Sequence, residues 1–260
     1  MEKVKLSKNK GPVVFLGGVN AMPMMYALEL RKIGIDVVYV VDRPQDDMLS
    51  RPENHFPDIG YPYPDWIIEK VLPSQIFLPL FPRLFARWIE SVVRKVRATK
   101  PQAIVLNGFF CSLAPYLWPG QPKIFLPGGS DLDSWADVEG QDVLSETFSG
   151  RSIFKYIPFP SLRKNLIKYI VGEQFKGASH CDAVMYFPRG FNAQGDRVLE
   201  QLENLGVKYV PRYDISFEPL KYEERGVIHS REKLVIFSGV RFLFKTFPDG
   251  NESYNKGNDL

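Results

Sequence analysis

The sequence VVFLGG at Val13–Gly18 is typical of a short buried strand that runs into two glycines. Apolar residues then recur with helical spacing over Met24–Ile33, and Gly34 suits the end of such a helix. A second run of β-branched residues, Ile35–Val41, follows and ends at Asp42. This order of strand, glycine turn, helix and strand predicts two parallel strands joined by a covering helix.

The same alternation continues along the first 210 residues. Further strands are predicted at Ala103–Leu106, Ile124–Leu126, Ala183–Tyr186 and Lys208–Val210. Further helices are predicted at residues 83–97, Leu162–Lys176 and near Gln194–Asn204. Continuous apolar strands separated by helices indicate a parallel sheet covered on both faces. We therefore expect an α/β fold: a doubly wound, Rossmann-like sheet with helices on both sides.

Residues 43–65 interrupt this pattern with five prolines and several aromatic residues. A segment of that length without regular structure is usually either functional or disordered. Its aromatic content, with Phe56, Tyr61, Tyr63 and the adjoining Trp66, favours an ordered loop at the carboxyl edge of the sheet. We expect residues 43–66 to hold the specificity for a bound ligand.

The last part of the chain has the pattern of a new domain that has only begun. Leu234–Arg241 is typical of a buried strand entering a glycine turn, and Asn255–Leu260 of the first turn of a helix. A lone strand and half a helix cannot bury an apolar face. The expectation is therefore one complete domain over residues 1–215, followed by a connection and a truncated second domain over 216–260.

Composition narrows the class of protein. The 260 residues are 45% apolar and 24% charged, which is ordinary for a globular protein, and the net charge of +3 is too small to indicate a nucleic-acid partner. Two distant cysteines and three scattered histidines indicate neither disulfides nor a zinc site, and they fit a reducing cytoplasm. The glycines and charges after the basic N-terminus disfavour a signal peptide, and no uninterrupted apolar run is long enough for a membrane span.

The first candidate site is the Gly17-Gly18 loop. Glycines allow close approach of a ligand, and the N-terminus of the following helix offers free N–H groups, which together suit a phosphate or diphosphate. A tight β–α turn would also require small residues. The pattern GGVNAM is not a dinucleotide fingerprint, although Asp42 imitates the ribose-binding acid of dehydrogenases.

The second candidate site is the stretch GGSDLD at residues 128–133, which follows a predicted strand and should lie at the carboxyl edge. A carboxylate there can accept a hydroxyl hydrogen bond or stabilise a developing positive charge. Asp131 could equally cap a helix. Asp131 and Asp133 also imitate a D-x-D metal motif, but the Gly-Gly-Ser sequence before them favours a tight ligand loop, and we expect no metal.

Two segments combine basic and aromatic residues. Residues 83–97 form an amphipathic pattern with five Arg and Lys side chains, and Arg151–Ile170 contains cations and aromatics without an acid. Such faces suit an anionic membrane surface, or simply a solvated helix face. We favour the solvated face for 83–97 and the membrane for 151–170. Nucleic acid is the least favoured partner, because no binding motif accompanies the charge.

The end of the chain carries a resemblance to a known family. Phe237–Arg241, followed by Asn255–Asp259, resembles the start of the second domain in GT-B glycosyltransferases of the family-4 type. The resemblance implies that Arg241 and Lys256 bind the diphosphate of a nucleotide-sugar donor. Two fixed cations would neutralise the leaving group as the sugar bond breaks.

The order of motifs upstream is also similar to that family's first domain. The resemblance implies a donor-binding role for Gly17 and Gly18, with Asn20 and Ser130 as candidate acceptor-binding residues. Gly128 stands where many members carry a histidine, which leaves Asp131 as the candidate catalytic residue. Residues 182–184 (DAV) also resemble a family pattern, whereas the family's glutamate pair would fall beyond the end of this sequence.

The resemblance implies a retaining, metal-independent transfer of a sugar from a nucleotide-sugar donor, with the donor as a substrate and no cofactor. The aromatic and basic segments suggest a polysaccharide or lipid-linked acceptor and peripheral contact with the inner face of a membrane. By itself the chain is expected to be inactive. Two alternatives are a non-catalytic, membrane-docking or acceptor-binding subunit of a split enzyme, and a nucleotide-dependent epimerase or dehydrogenase.

Overall fold

In a computed structural model the six predicted strands and one further strand form a seven-stranded parallel sheet. The strands are β1 (Val13–Leu16), β2 (Val37–Val41), β3 (Ile67–Glu69), β4 (Ala103–Leu106), β5 (Lys123–Phe125), β6 (Ala183–Tyr186) and β7 (Tyr209–Pro211). Their order across the sheet is β3-β2-β1-β4-β5-β6-β7. From β1 the chain extends the sheet in one direction, and it then returns to extend it in the other. The sheet is therefore doubly wound, as the sequence predicted.

The structure describes residues 6–8, 10–18, 22–47, 50–56, 58–128, 132, 157, 159–191 and 193–212. The chain divides into two units, Met1–Glu218 and Pro219–Leu260, and all of the described residues belong to the first. The predicted strand and helix at 234–260 lie outside the described residues. The predicted boundary after residue 215 stays a prediction.

Helices cover the sheet where the apolar spacing predicted them. They are α1 (Met22–Lys32), α2 (Phe77–Leu80), α3 (Pro82–Val96), α4 (Pro160–Ala178) and α5 (Ala193–Asn204), with 3₁₀ helices at Pro52–Asn54 and Gly108–Leu113. Both α3 and α4 start with proline, whose missing N–H would have no partner in a first turn. Gly34 ends α1 with a φ of 82°, a conformation that glycine adopts without strain. None of the described helices combines the length and the apolar character needed to cross a bilayer.

Strand residues alternate between two apolar layers, one on each face of the sheet. Val14 and Leu16 belong to the layer that includes α2, α3, α4, α5 and the 3₁₀ helix Gly108–Leu113. Val13 and Phe15 belong to the other layer, which includes α1 and the loop after β2. Burial on both faces explains why the strands read as continuous apolar runs rather than alternating ones.

The connection between β2 and β3 is the main departure from the sequence pattern. The sequence indicated only a loop here, whereas β3 at Ile67–Glu69 pairs in parallel with β2. The described residues of the loop are ordered, as its aromatic content predicted, with Phe56 and Trp66 both buried. Its only described regular element is one short 3₁₀ helix. The described part of the connection from β2 to the edge strand β3 is therefore a loop with one short 3₁₀ helix, and it contains no covering helix.

Candidate functional site

The loops after β1 and β4 meet at the point where the strand order reverses, which is the usual ligand crevice of such sheets. A Cβ added to Gly17 would lie 2.6 Å from the carbonyl oxygen of Asn107, and Gly17 has a φ of 88°. A Cβ on Gly18 would lie 3.0 Å from the Tyr39 hydroxyl and 3.1 Å from the Ser50 carbonyl oxygen. Close approach of the chain to itself therefore requires glycine at position 17, and a side chain at position 18 would crowd Tyr39 and Ser50.

Asn107 joins the ends of three neighbouring strands. Its backbone N–H donates to the carbonyl of Leu16 over 2.9 Å, which ties β4 to β1. Its side-chain Nδ2 donates to the carbonyl of Leu126 over 2.6 Å, just after β5. Asn107 is fully buried. It therefore holds the floor of the crevice in place, a role that sequence reasoning did not assign to it.

The structure describes two of the seven predicted site residues. Gly17 and Gly18 lie at the crevice, where the strand–glycine–helix pattern placed them. Asn20, Ser130, Asp131, Arg241 and Lys256 all lie outside the described residues. Within the described part of the chain, no group of three or more His, Cys, Asp or Glu side chains could hold a metal ion.

A buried polar cluster lies beside the Gly17-Gly18 loop at the end of β2. Asp42 is 1% exposed, and its Oδ2 accepts a hydrogen bond from Gln75 Nε2 over 2.6 Å. The Nε of Arg43 lies 3.8 Å from the same oxygen. Within the described part of the chain, the Asp42 Oδ1 and the Tyr39 hydroxyl have no hydrogen-bond partner. Each of these two atoms suits a buried water or a ligand hydroxyl as its partner.

Burial raises the pKa of the Asp42 carboxyl above its usual range, although the Arg43 charge and the Gln75 hydrogen bond act in the opposite direction. Burial also raises the pKa of the Tyr39 phenol, and the nearby Asp42 charge adds to that shift. A carboxyl that retains its proton can donate as well as accept a hydrogen bond. Burial therefore disfavours the ionised form of both side chains.

Replacing Asp42 with asparagine is expected to raise the free energy of unfolding at pH 7–8, because the neutral amide removes the cost that burial places on ionising this carboxyl. Since the pKa is raised on folding, the unfolded chain releases this proton first as the pH rises above about 4. The wild type therefore loses stability through that window, and below it the two proteins should unfold alike. Urea unfolding across pH tests this, with exposed Asp65→Asn as the control. Loss of stability in Asp42→Asn at neutral pH would contradict the neutral-carboxyl interpretation.

Arg212 links the residues that follow β5, β6 and β7 at the carboxyl edge of the sheet. Its side chain is 6% exposed, and its Nη1 donates to the Pro127 carbonyl over 3.1 Å and lies 3.5 Å from the sulfur of Met22. Its guanidinium stacks 4.6 Å from the ring centre of Phe187. Arg212 thus ties the residues that follow β5, β6 and β7 to the start of α1. It places a permanent positive charge at the start of the GGSDLD stretch.

Comparison with solved structures finds this fold in known proteins. One similar structure is the complex of a UDP-glucosyltransferase from Polygonum tinctorium, capable of glucosylating indoxyl, with 3,4-dichloroaniline. The two sequences are 13% identical, and the TM-score is 0.51 over 86% of this chain and 56% of that one. Another is a UGT transferase from Siraitia grosvenorii in complex with UDP, 13% identical, with a TM-score of 0.41 over 77% of this chain and 47% of that one. Comparison with protein-family models and with curated proteins gives no match.

The chain spans about half the length of these two structures. The likeness to the first shows the fold, which is that of GT-B glycosyltransferases. The predicted class, a doubly wound Rossmann-like α/β sheet of the GT-B kind, is therefore confirmed.

Proposed function

We propose that this chain supplies the first domain of a nucleotide-sugar-dependent glycosyltransferase of the family-4 type. The observation that carries the proposal is the seven-stranded parallel sheet, whose fold is that of a UDP-glucosyltransferase. The pattern from Phe237 to Asp259 adds independent support, because it resembles the donor-binding start of a second GT-B domain. Fold likeness alone supports many functions, so the motif is needed as well.

In this proposal the donor diphosphate is held by cations and by backbone groups. Arg241 and Lys256 neutralise the negative charge that builds up on the nucleotide as the sugar bond breaks. Gly17 and Gly18 come just before the N-terminus of α1, where free N–H groups favour an anion. Two fixed cations take the place that a divalent metal would otherwise fill. The nucleotide sugar is thus a substrate, and no cofactor is needed.

The chemical step that we infer is a retaining transfer through an oxocarbenium-like transition state, as in glycoside chemistry generally. Asp131 is the proposed catalytic residue, because a carboxylate at the carboxyl edge can stabilise positive charge on the sugar. Its loop begins at Pro127, whose carbonyl accepts a hydrogen bond from Arg212. Arg212 would therefore fix the start of the loop that carries Ser130 and Asp131.

The acceptor that we propose is a polysaccharide or a lipid-linked glycan. Asn20, Ser130 and the loop 43–66 are its candidate binding elements, and the hydroxyl-binding character of Asp42 and Tyr39 beside Gly18 fits a sugar or an alcohol. We place the enzyme in the cytoplasm, in peripheral contact with the inner face of a membrane. Nucleic acid has no role in this proposal.

In a protein that carries the complete second domain, Lys256→Ala is expected to lower the transfer rate at least about 100-fold, because the diphosphate loses a fixed cation. Transfer from a panel of nucleotide sugars is the measurement, and circular dichroism confirms the fold. Lys233→Ala, a lysine of the same part of the chain outside the motif, should transfer like the wild type. Normal turnover in Lys256→Ala would refute the donor site. We expect the chain of 260 residues on its own to show no turnover.

A further inference from the structure

The outer face of α3 is the most basic helix surface among the described residues. The helix has 15 residues and buries Ala86, Ile89, Val92 and Val93 against the sheet. Its opposite face exposes four cations together with one leucine and one serine: Arg83, Leu84, Arg87, Ser91, Arg94 and Lys95. We call these six residues, together with the preceding Phe81, the α3 surface. It extends for about 22 Å along the helix.

The single acid of α3 does not cancel this charge. Glu90 faces partly inward, with 17% of its side chain exposed, and its Oε1 accepts a hydrogen bond from the Trp118 backbone N–H over 2.7 Å. Its Oε2 accepts from Arg94 over 3.2 Å. Arg83, Arg87 and Lys95 have no ion pair with any described residue. Three uncompensated positive charges therefore point outward from one helix.

Exposed apolar side chains lie at the start of the same surface. Phe81 is 53% exposed and Leu84 is 65% exposed, and they stand two residues before and one residue after Arg83. A solvated helix face needs no large apolar residues, whereas an interfacial helix places them among cations at the level of the lipid headgroups. The sequence led us to favour a solvated face for 83–97. The exposure of Phe81 and Leu84 reverses that preference.

The α3 surface continues onto α4 through one tyrosine. The guanidinium of Arg83 lies 5.3 Å from the ring centre of Tyr116, and the Nζ of Lys176 lies 3.3 Å from the hydroxyl of the same residue. The exposed face of α4 carries further apolar and basic side chains: Leu162, Lys168 and Tyr169, with Phe159 just before the helix. The end of α4 that carries Lys176 thus adjoins the α3 surface, and Leu162 lies about 21 Å farther along the helix.

We propose that the α3 surface docks this protein on an anionic lipid bilayer. The positive charges complement anionic headgroups, and the exposed Phe81 and Leu84 can enter the interface between headgroups and acyl chains, a contact that a nucleic-acid phosphate backbone does not offer. The docking rests on the proposed function for its purpose, which is to bring the acceptor site to a lipid-linked glycan. Vesicle binding itself requires no sugar transfer.

The test is sedimentation of the purified chain with vesicles of phosphatidylcholine mixed with phosphatidylglycerol. Each cation near such a surface strengthens binding roughly fivefold. Reversing two of them in Arg87→Glu/Lys95→Glu is therefore expected to weaken binding at least about 100-fold. The wild type should bind pure phosphatidylcholine weakly, and added salt should release it from the anionic vesicles.

Lys70→Glu/Lys100→Glu is the matched control, because it makes the same change in net charge at exposed lysines that belong neither to the α3 surface nor to α4. It should retain most of the binding, whereas Leu84→Gln, which removes an apolar side chain without changing the charge, should lose a clear part of it. Equal loss in both double variants, or no sedimentation of the wild type with anionic vesicles, would overturn the proposal. Preferential binding of a labelled oligonucleotide would overturn it as well. Thermal melts must show that all of the variants fold.

The failure of this inference can be distinguished from the failure of the proposed function. Sugar transfer to a soluble acceptor, measured in the protein with the complete second domain, does not depend on docking. Normal transfer without vesicle binding would refute the docking surface alone. Vesicle binding without any transfer or donor binding would refute the glycosyltransferase assignment and leave the docking surface intact.

Discussion

Replacing Gly177 with alanine is expected to lower the free energy of unfolding by about 2–4 kcal/mol, because the added methyl group has no space. A Cβ at this position of α4 would lie 2.0 Å from the carbonyl oxygen of Cys111 and 2.6 Å from its carbonyl carbon. These are backbone atoms of the 3₁₀ helix Gly108–Leu113, so no side-chain rotation can relieve the overlap. The helix α4 must move away from a layer in which Cys111 is fully buried.

The control for this prediction lies five residues earlier on the same helix. A Cβ on the exposed Gly172 would meet nothing within 4 Å. Alanine there should raise stability by about 0.5–1 kcal/mol, since glycine is costly inside a helix. Urea unfolding of both variants gives the comparison. If Gly177→Ala and Gly172→Ala shift the midpoint in the same direction, the close contact of α4 with the 3₁₀ helix is wrong.

Replacing Arg51 with methionine is expected to cost about 2–4 kcal/mol, because it leaves two carboxylates without their cation. The Arg51 side chain is completely buried in the loop between β2 and β3. Its Nε donates to Glu53 over 2.6 Å, and its Nη1 donates to Glu69 and, over 3.1 Å, to the carbonyl of Arg43. The expected loss is at the lower end of the buried-pair range, because both glutamates remain partly exposed. Thermal and urea unfolding provide the measurement.

Two further variants separate charge from geometry at this position. Arg51→Lys keeps the charge but not the planar fork of donors, so an intermediate loss is expected. Arg83→Met removes an exposed arginine that also stacks on a tyrosine ring, and it should change stability by no more than about 0.5 kcal/mol. Equal stability of Arg51→Met and wild type would show that the loop does not depend on this ion-pair network.

The main sheet could be predicted because each strand is a continuous apolar run that ends in a turn signal. Ala103–Leu106 and Ala183–Tyr186 form strands with the predicted bounds. Strand β3 was missed because three residues after a proline-rich segment carry no periodicity, and their partner β2 is distant in sequence. Pairing across such distances depends on tertiary contacts that local patterns do not encode.

The candidate site could be predicted less completely than the fold. The glycine pair after β1 was recognisable because a parallel sheet places ligands where its strands end. Asn107 and Arg212 were missed, since a single asparagine or arginine has no pattern of its own. Arg212 reaches Pro127, which is 85 residues away along the chain. Only the sheet order brings these residues together.

The two glycines after β1 also bear on how the specificity of this edge could be redesigned. The Asn107 carbonyl oxygen lies close to where a Cβ of Gly17 would stand, and Tyr39 and Ser50 crowd the same position at Gly18, so this packing constrains both residues whatever ligand the crevice takes. A library that aims to change substrate choice should therefore leave the pair untouched and vary the surrounding side chains. In this fold the glycine pair reflects the close packing of neighbouring loops. The side chains around the crevice determine which ligand binds.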